Sequence, residues 1–304
     1  MNRRTTIVYV AAGFVAVILL SSLYFLVRKP ERVAPAKLAE GTRVVVFKDV
    51  RYSGEKKGVI DWELKAKTAR KFLDKPIMEM EEIDGIYKPK PDMTLRFTAE
   101  KGEMNQETER GHVEKVEVFY KNEYTVRTSR MEFDFKQSLA STTAPVDVKG
   151  TKMTLNGMGL TADTKGQVIR VEKDVTGTVE TARGPFRFSS DVFTYQLKEQ
   201  IYVFEGRVVV RGKDMDLMCD RMFVYSEDDQ VKRIDAKGKV QLLSKGTVAK
   251  SGRAVYDFKD ERVVLTESPT IVKGRIDLKG EPIVYNLATG TFLADRPRLR
   301  IEQQ

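Results

Sequence analysis

Apolar and charged residues alternate one for one along much of the chain. Ile60, Trp62, Leu64 and Ala66 interleave with Asp61, Glu63, Lys65 and Lys67, and Met93, Leu95, Phe97 and Ala99 with Thr94, Arg96, Thr98 and Glu100. Val116, Val118 and Tyr120 alternate with Lys115, Glu117 and Lys121. Met215, Leu217 and Cys219 stand against Asp214, Asp216 and Asp220, and the odd face continues past Arg221 to Phe223 and Tyr225. A period of two with one apolar and one charged face predicts half-buried antiparallel strands, because successive side chains leave opposite sides of the pleat. Ser53-Gly54, Asn156-Gly157, Lys165-Gly166, Asp228-Asp229, Lys245-Gly246 and Thr289-Gly290 read as turn signals between the runs. No amphipathic helix pattern follows Lys29, so the predicted class is all-β.

The first 29 residues follow a different rule. Ile7 to Val27 carry no charge over 21 positions, and ~20 apolar residues suffice to span a bilayer. A cleavable signal peptide has a shorter apolar region of ~7–15 residues. An Ala-x-Ala at Ala34 to Ala36 lies well beyond the run, behind Arg28, Lys29 and Arg32. The expectation is an uncleaved single-pass transmembrane anchor in residues 1–29. Arg3 and Arg4 on one side balance Arg28 and Lys29 on the other, so the positive-inside bias does not orient it. A short arginine flank before a long polar body fits a signal anchor with the body outside the cytoplasm.

The strands also repeat. Tyr195, Tyr225, Tyr256 and Tyr285 follow one another at spacings of 30, 31 and 29, closing the segments SDVFTY, DRMFVY, SGRAVY and GEPIVY. FEGRVVVRG (204–212), AKGKVQLLS (236–244) and TESPTIVKG (266–274) lie between them. FTAEKGEM (97–104), RTSRMEF (127–133) and LTADTKG (160–166) give a looser version earlier. Such a period predicts stacked hairpin-like units that complete one another's apolar face. The apolar faces enclose either a packed dry core or an open greasy groove, and the pattern alone leaves both open.

Composition removes most chemistry from consideration. In 304 residues there is one His, one Cys and one Trp. A lone Cys forms no intrachain disulfide, and one His with one Cys does not make an ordinary zinc site. His112, in ETERGHVEKV, reads as a surface residue in a turn before a strand. The acids are evenly spread, so carboxylate hydrolysis is disfavoured; Asp214 and Asp216 share a strand face but lack a calcium-loop pattern. No Gly-rich phosphate loop ending in Lys-Ser/Thr is present. The reading is of a non-enzyme with no metal and no cofactor. The net charge of +9 is compatible with nucleic acid, a membrane surface or an anionic ligand. Basic residues here are dispersed over the polar faces while aromatics occupy the opposite ones, which argues against nucleic acid.

Two families of the lipopolysaccharide export system are resembled by these residues. FEGRVVVRGKDMDLMCDRMFVY (204–225), VKRIDAKGKVQLL (231–243), YDFKDERVVLTESPTIVKG (256–274) and YNLATGTFLAD (285–295) resemble the LptA/OstA-like family. The anchor, VIDWELKAKTAR (59–70), LRFTAEKGEM (95–104) and ASTTAPVDVKGTKMTLNGMGLTADTKGQV (140–168) resemble LptC. The two, usually separate chains, stand fused across Glu180 to Pro185. The resemblance implies an anchor (1–29), an LptC-like β-jellyroll (40–182) and an LptA/OstA-like β-jellyroll (186–298). The jellyrolls would be open, twisted and antiparallel, stacked end to end. It further implies a periplasmic lipopolysaccharide carrier, single-pass in the inner membrane, that shields acyl chains in a hydrophobic groove. Implied partners are lipopolysaccharide, the inner-membrane ABC transporter complex (through an edge near Thr42–Val50), and further LptA-like units or the outer-membrane translocon (through an edge near Thr291–Ile301). The competing reading is an envelope β-repeat scaffold, structural or adhesive, with a dry core.

The apolar strand faces supply the candidate groove residues. In the first half these are Trp62, Leu64, Met93, Leu95, Phe97, Val116, Val118 and Tyr120. In the second they are Tyr202, Phe204, Val208, Val210, Met215, Leu217, Val240 and Leu242. Arg207 and Arg211 are candidates for headgroup phosphates at the groove mouth, and any of the apolar residues also serves as ordinary core.

Overall fold

The computed structural model describes residues 43–301 except 57–58, 91–92, 121–122, 182–183, 228–229 and 287–288. The predicted anchor and the turn signal Asp228-Asp229 lie outside the described residues. All regular structure among the described residues is β, as the alternation predicts. The first nine strands are β1 (Val44–Lys56), β2 (Val59–Phe72), β3 (Ile77–Lys90), β4 (Met93–Asn105), β5 (Arg110–Tyr120), β6 (Tyr124–Asp134), β7 (Leu139–Lys149), β8 (Met153–Asp163) and β9 (Val168–Thr181). Then come β10 (Gly184–Ser190), β11 (Val192–Gln196), β12 (Ile201–Arg211), β13 (Met215–Glu227), β14 (Gln230–Ser244) and β15 (Thr247–Asp257). The last are β16 (Arg262–Thr266), β17 (Thr270–Lys273), β18 (Ile276–Lys279), β19 (Ile283–Asn286), β20 (Thr291–Ala294) and β21 (Arg298–Ile301).

The strands form one antiparallel meander. β10 and β11 are two halves of a broken strand, both paired with β9 and β12. Beyond β15 the sheet forks into β16–β19–β20 and β17–β18–β21. Pairing runs without interruption through the junction of the two resembled families, where Gly184 faces Thr181 across β9–β10.

Corners near the strand centres fold this ribbon into two facing walls, and those at Asp174, Arg207 and Lys239 coincide with bulges that shift the register. Asp49, Glu82, Lys115, Asp174, Arg207 and Lys239 take left-handed backbone angles near the centres of β1, β3, β5, β9, β12 and β14. A bulge adds a residue, bends the strand and sharpens its twist. At two of them a glycine precedes the strained residue, Gly206 (φ 75°) and Gly238 (φ 77°). A Cβ on Gly206 would lie 2.3 Å from Asp191 Oδ2, and one on Gly238 2.5 Å from Asp220 Oδ2. The same carboxylates meet the following bases: Arg207 Nε donates to Asp191 Oδ1 at 2.8 Å, and Lys239 Nζ lies 4.0 Å from Asp220. The Asp…Gly-Arg/Lys recurrence in the sequence is this corner.

Each wall carries an apolar row on its inner surface. On the first wall, cross-strand partners run Tyr52–Leu64–Gly85–Phe97–Val118–Val126–Val148–Leu155. The same row continues Gly177–Phe188–Val210–Leu217–Leu242–Ala249–Ile271–Leu278. On the second wall it runs Phe133–Ala140–Ala162–Ile169–Tyr195–Tyr202–Val224–Ile234–Tyr256–Val263–Tyr285–Phe292. The inner residues pack into two cores, one over residues 62–131 and one over 146–285.

Three local readings change. Ser53-Gly54 lies inside β1 and Asn156-Gly157 inside β8. These glycines mark close approach instead of a turn, since a Cβ on Gly54 would collide with the Trp62 indole and one on Gly157 with Val171. Tyr225 does not share the face of Tyr195, Tyr256 and Tyr285. The bulge between Met218 and Arg221 shifts the β13–β14 register, so Val224 enters the inner row and Tyr225 turns outward beneath Arg233. His112 stands half-buried within β5, where its backbone pairs with Glu103 and Glu132.

Candidate functional site

Where the two cores meet, the walls stay apart and enclose a cavity of about 430 Å³. The first wall contributes Leu95, Phe97, Val118, Val126 and Leu155; the second contributes Met131, Phe133, Leu160, Ile169, Val171 and Phe193. Its size is within the range of small-molecule sites, ~300–1,000 Å³. Room comes from small side chains: Ala140 and Ala162 face each other across β7–β8 and both line the space. Gly85 lets the Phe97 ring lie flat over its backbone, with a hypothetical Cβ only 2.2 Å from Phe97 Cζ. At one end Phe135 closes the cavity, stacked on Trp62 at 4.8 Å and 8° and edge-on to Tyr87 at 5.7 Å.

At the mouth, toward the strand ends and their turns, the lining carries the hydroxyls of several tyrosines. Tyr87, Leu95, Tyr120 and Tyr124 form the outermost lining row of the first wall. Tyr87 Oη lies 3.2 Å from Thr164 Oγ1, which belongs to the turn after β8 on the opposite wall. Tyr195 and Tyr202 stack at 4.4 Å and 5°, and their hydroxyls are hydrogen-bonded. Burial pushes the Tyr195 phenol well above its ordinary range, with further contributions from Tyr202 and then from Tyr124 and Tyr120. Tyrosines of both walls therefore converge on one region. The second wall's rim is tied turn to turn by backbone bonds, Thr164 N–H to Ser138 O at 3.0 Å and Leu197 N–H to Gln167 O at 2.9 Å.

Charge at the mouth is acidic. Glu123, Asp134 and Asp163 line it, and among the described residues no Lys or Arg does. Burial works to raise the Asp134 carboxyl, but the Gln137 N–H and Arg110 outweigh it and hold Asp134 below the usual range. Arg110 Nε reaches Asp134 Oδ2 at 2.5 Å.

Of the sequence candidates, Met93, Leu95, Phe97, Val116, Val118, Tyr120 and Tyr202 line the cavity. Trp62 and Leu64 are buried in the first core, behind the lining. Phe204, Val208, Leu217, Val240 and Leu242 are buried in the second core, with Val210 and Met215 packed against it. Arg207 is held at its bulge by Asp191, and Arg211 ends β12 opposite Asp216; neither lines the cavity. Sequence reasoning passed over Tyr124, Val126, Met131, Phe133, Leu155 and Leu160. The alternation in YTVRTSRMEF carried a signal for the first four, although the β6–β7 register shift between Thr128 and Glu132 interrupts it.

The family model described as lipopolysaccharide-assembly, LptC-related, matches residues 14–180. A second, described as LptA/(LptD N-terminal domain) LPS transport protein, matches residues 188–291. No curated protein matches the chain. Among solved structures, the chain is similar to that of LptH, described as the LptA homologous periplasmic component of the lipopolysaccharide transport device from Pseudomonas aeruginosa. Identity is 21% over 40% of this chain and 95% of that one, with a TM-score of 0.36. The cavity is shared by the two matched stretches, Tyr87 to Val171 from the first and Phe193 to Tyr202 from the second. With more than half of its length matched by the first model and the second following in tandem, the chain belongs to the LptC-related lipopolysaccharide-assembly family and is a component of the lipopolysaccharide transport bridge.

Proposed function

We propose that the chain is a membrane-anchored carrier that shelters the acyl chains of lipopolysaccharide between its two walls while the sugar stays in water. The observation that carries this reading is the apolar cavity in a fold of this family. Exposing an acyl chain to water costs about 0.8 kcal/mol per CH₂, so a lipid with several chains needs a continuous apolar lining to cross an aqueous compartment. The paired inner rows supply such a lining from β1 toward β21, and the cavity is where it stands open. Ile7 to Val27 would hold the chain in the inner membrane, with residues 40–182 and 186–298 as its LptC-like and LptA-like stretches in the periplasm. Energy for movement would come from the partner ABC transporter, the chain itself performing no chemistry.

The edges fit assembly. Among the described residues β1 pairs with β2 alone and exposes Val45, Val46 and Phe47, while β20 and β21 expose Leu293 and Leu299. An unpaired strand is a template for another chain, so the β1 edge would meet the transporter and the β20/β21 edge a further bridge unit or the outer-membrane translocon. A scaffold with a dry core throughout is not favoured by the open space at the centre.

A photo-crosslinking residue at Val126, inside the cavity, is expected to capture lipopolysaccharide in cells, whereas one at the outward-facing Lys250 is not. Equal labelling at both sites, or none at Val126, would overturn the carrier reading.

A further inference from the structure

The mouth of the cavity differs chemically from its interior and from what a phosphorylated lipid would be expected to need. Five tyrosines, Tyr87, Tyr120, Tyr124, Tyr195 and Tyr202, line it from both walls. Tyr87 meets Thr164 across the opening, and Tyr195 bonds Tyr202. A phenol hydroxyl donates one hydrogen bond and accepts others, and in an apolar setting it needs a partner. Exchanging a neighbouring hydroxyl for a ligand oxygen therefore keeps each group satisfied. The lining acids Glu123, Asp134 and Asp163 only accept, and Arg110, the cation bonded to one of them, is engaged by Asp134. An anion held here would face carboxylates in a partly desolvated site, with no lining cation among the described residues to offset that cost.

We infer that this tyrosine collar is a binding subsite for the uncharged oxygens at the head of an acyl chain, the ester or amide carbonyls and chain hydroxyls, and that it excludes phosphate. It rests on the carrier reading above and adds a chemical selection to it: the chain enters the cavity, its neutral linkage is held by the collar, and charged groups stay beyond the rim. Occupancy is limited as well. An apolar cavity of about 150 Å³ accommodates a six-carbon benzene ring, so 430 Å³ corresponds to one acyl chain of roughly 14–17 carbons at a time on the same scale.

The test uses the full chain in amphipol and two single-chain probes of equal length, monomyristoylglycerol and its phosphate ester, myristoyl lysophosphatidic acid. Native mass spectrometry gives stoichiometry and calorimetry gives affinity. One equivalent of monomyristoylglycerol is expected to bind, tenfold or more tighter than the phosphate. Tyr195→Phe with Tyr202→Phe keeps the rings and removes the hydroxyls; the ratio between the two probes is expected to fall three- to tenfold. A purely structural role would lower both affinities together and leave the ratio unchanged. Equal or tighter binding of the phosphate, or an unchanged ratio in the double variant, overturns the collar and leaves the acyl cavity standing. Binding of neither probe overturns the collar and the cavity reading together.

Discussion

Replacing Ala162 by Trp tests whether the space between the walls is real and used. Ala162 lines the cavity, with Ala140 on one side and Ile169 on the other. An indole is somewhat larger than the benzene ring that fits an apolar cavity of about 150 Å³, so it would take at least a third of the 430 Å³ present. Burying an aromatic side chain gains on the order of 2–3 kcal/mol, which offsets an overpacking strain of about 1–3 kcal/mol. Ala162→Trp should therefore sit within ~1 kcal/mol of the parent protein. Ala249→Trp is the comparison. Ala249 is 1% exposed and wedged between Leu242 and Ile271 in the packed second core, and should lose ~3 kcal/mol or more. Urea midpoints measure both. Binding of monomyristoylglycerol should drop at least tenfold in Ala162→Trp. If the two variants lose equal stability, the walls are closed at Ala162; if Ala162→Trp binds as the parent does, the cavity is not the acyl site.

Other expectations follow from particular side chains. Cys219 is 5% exposed, and burial pushes its thiol up to about 12; it should resist a thiol reagent at pH 8 and react stoichiometrically in denaturant. Because that folded value lies above the ordinary 9.0, the contribution to stability is whole below about pH 9 and erodes as pH climbs toward 12, a loss that Cys219→Ala should remove from the pH–stability curve. Asp235, 2% exposed, accepts Nε and Nη2 of Arg253 at 2.9 and 2.7 Å, with Arg233 and Lys237 within 4 Å. Asp235→Asn should cost about 2 kcal/mol, less than a fully buried pair because the cations are partly exposed; chemical denaturation checks it. The depressed Asp134 carboxyl stabilises above its unfolded value, and that stability is lost as pH falls through its folded one. Arg110→Gln should move the acid unfolding limb to higher pH, read by circular dichroism. Gly206→Val, at φ 75° and against Asp191, should destabilise by more than 1 kcal/mol, whereas Gly246→Ala, with open space around it, should cost less.

The strands were legible in the sequence because a period of two is imposed by the pleat itself. What the period does not carry is where a strand turns between the walls, and on β13 that corner exchanges the two faces, with Leu217 inward before it and Val224 inward after it. Tyr225 shows the consequence: it keeps the thirty-residue spacing yet points outward because an irregularity before Arg221 inserts itself upstream. The glycines of Ser53-Gly54 and Asn156-Gly157 were ambiguous for a related reason, since the residue that permits a turn also permits a ring or a branched side chain to lie against bare backbone. Alternation also separates inside from outside without giving the distance between the walls. Leu217 and Val118 are equivalent in pattern and occupy the same inner row. One is packed in the second core while the other lines open space, a difference set by which small and aromatic residues stand on the facing wall. The tyrosine rim joins residues from 87 to 202 and could be found only once both walls were in place.

The recurring corner, a left-handed residue near the centre of β1, β3, β5, β9, β12 and β14, separates two dimensions that most binding folds leave coupled. Each unit contributes two strands, and two inter-strand steps of ~4.8 Å extend the molecule by about 10 Å without changing the spacing of its walls. Reach and bore are thus independent variables: inserting or removing one unit would lengthen or shorten the conduit while leaving its ligand cross-section intact, whereas substitution along the inner rows would narrow it locally at constant length.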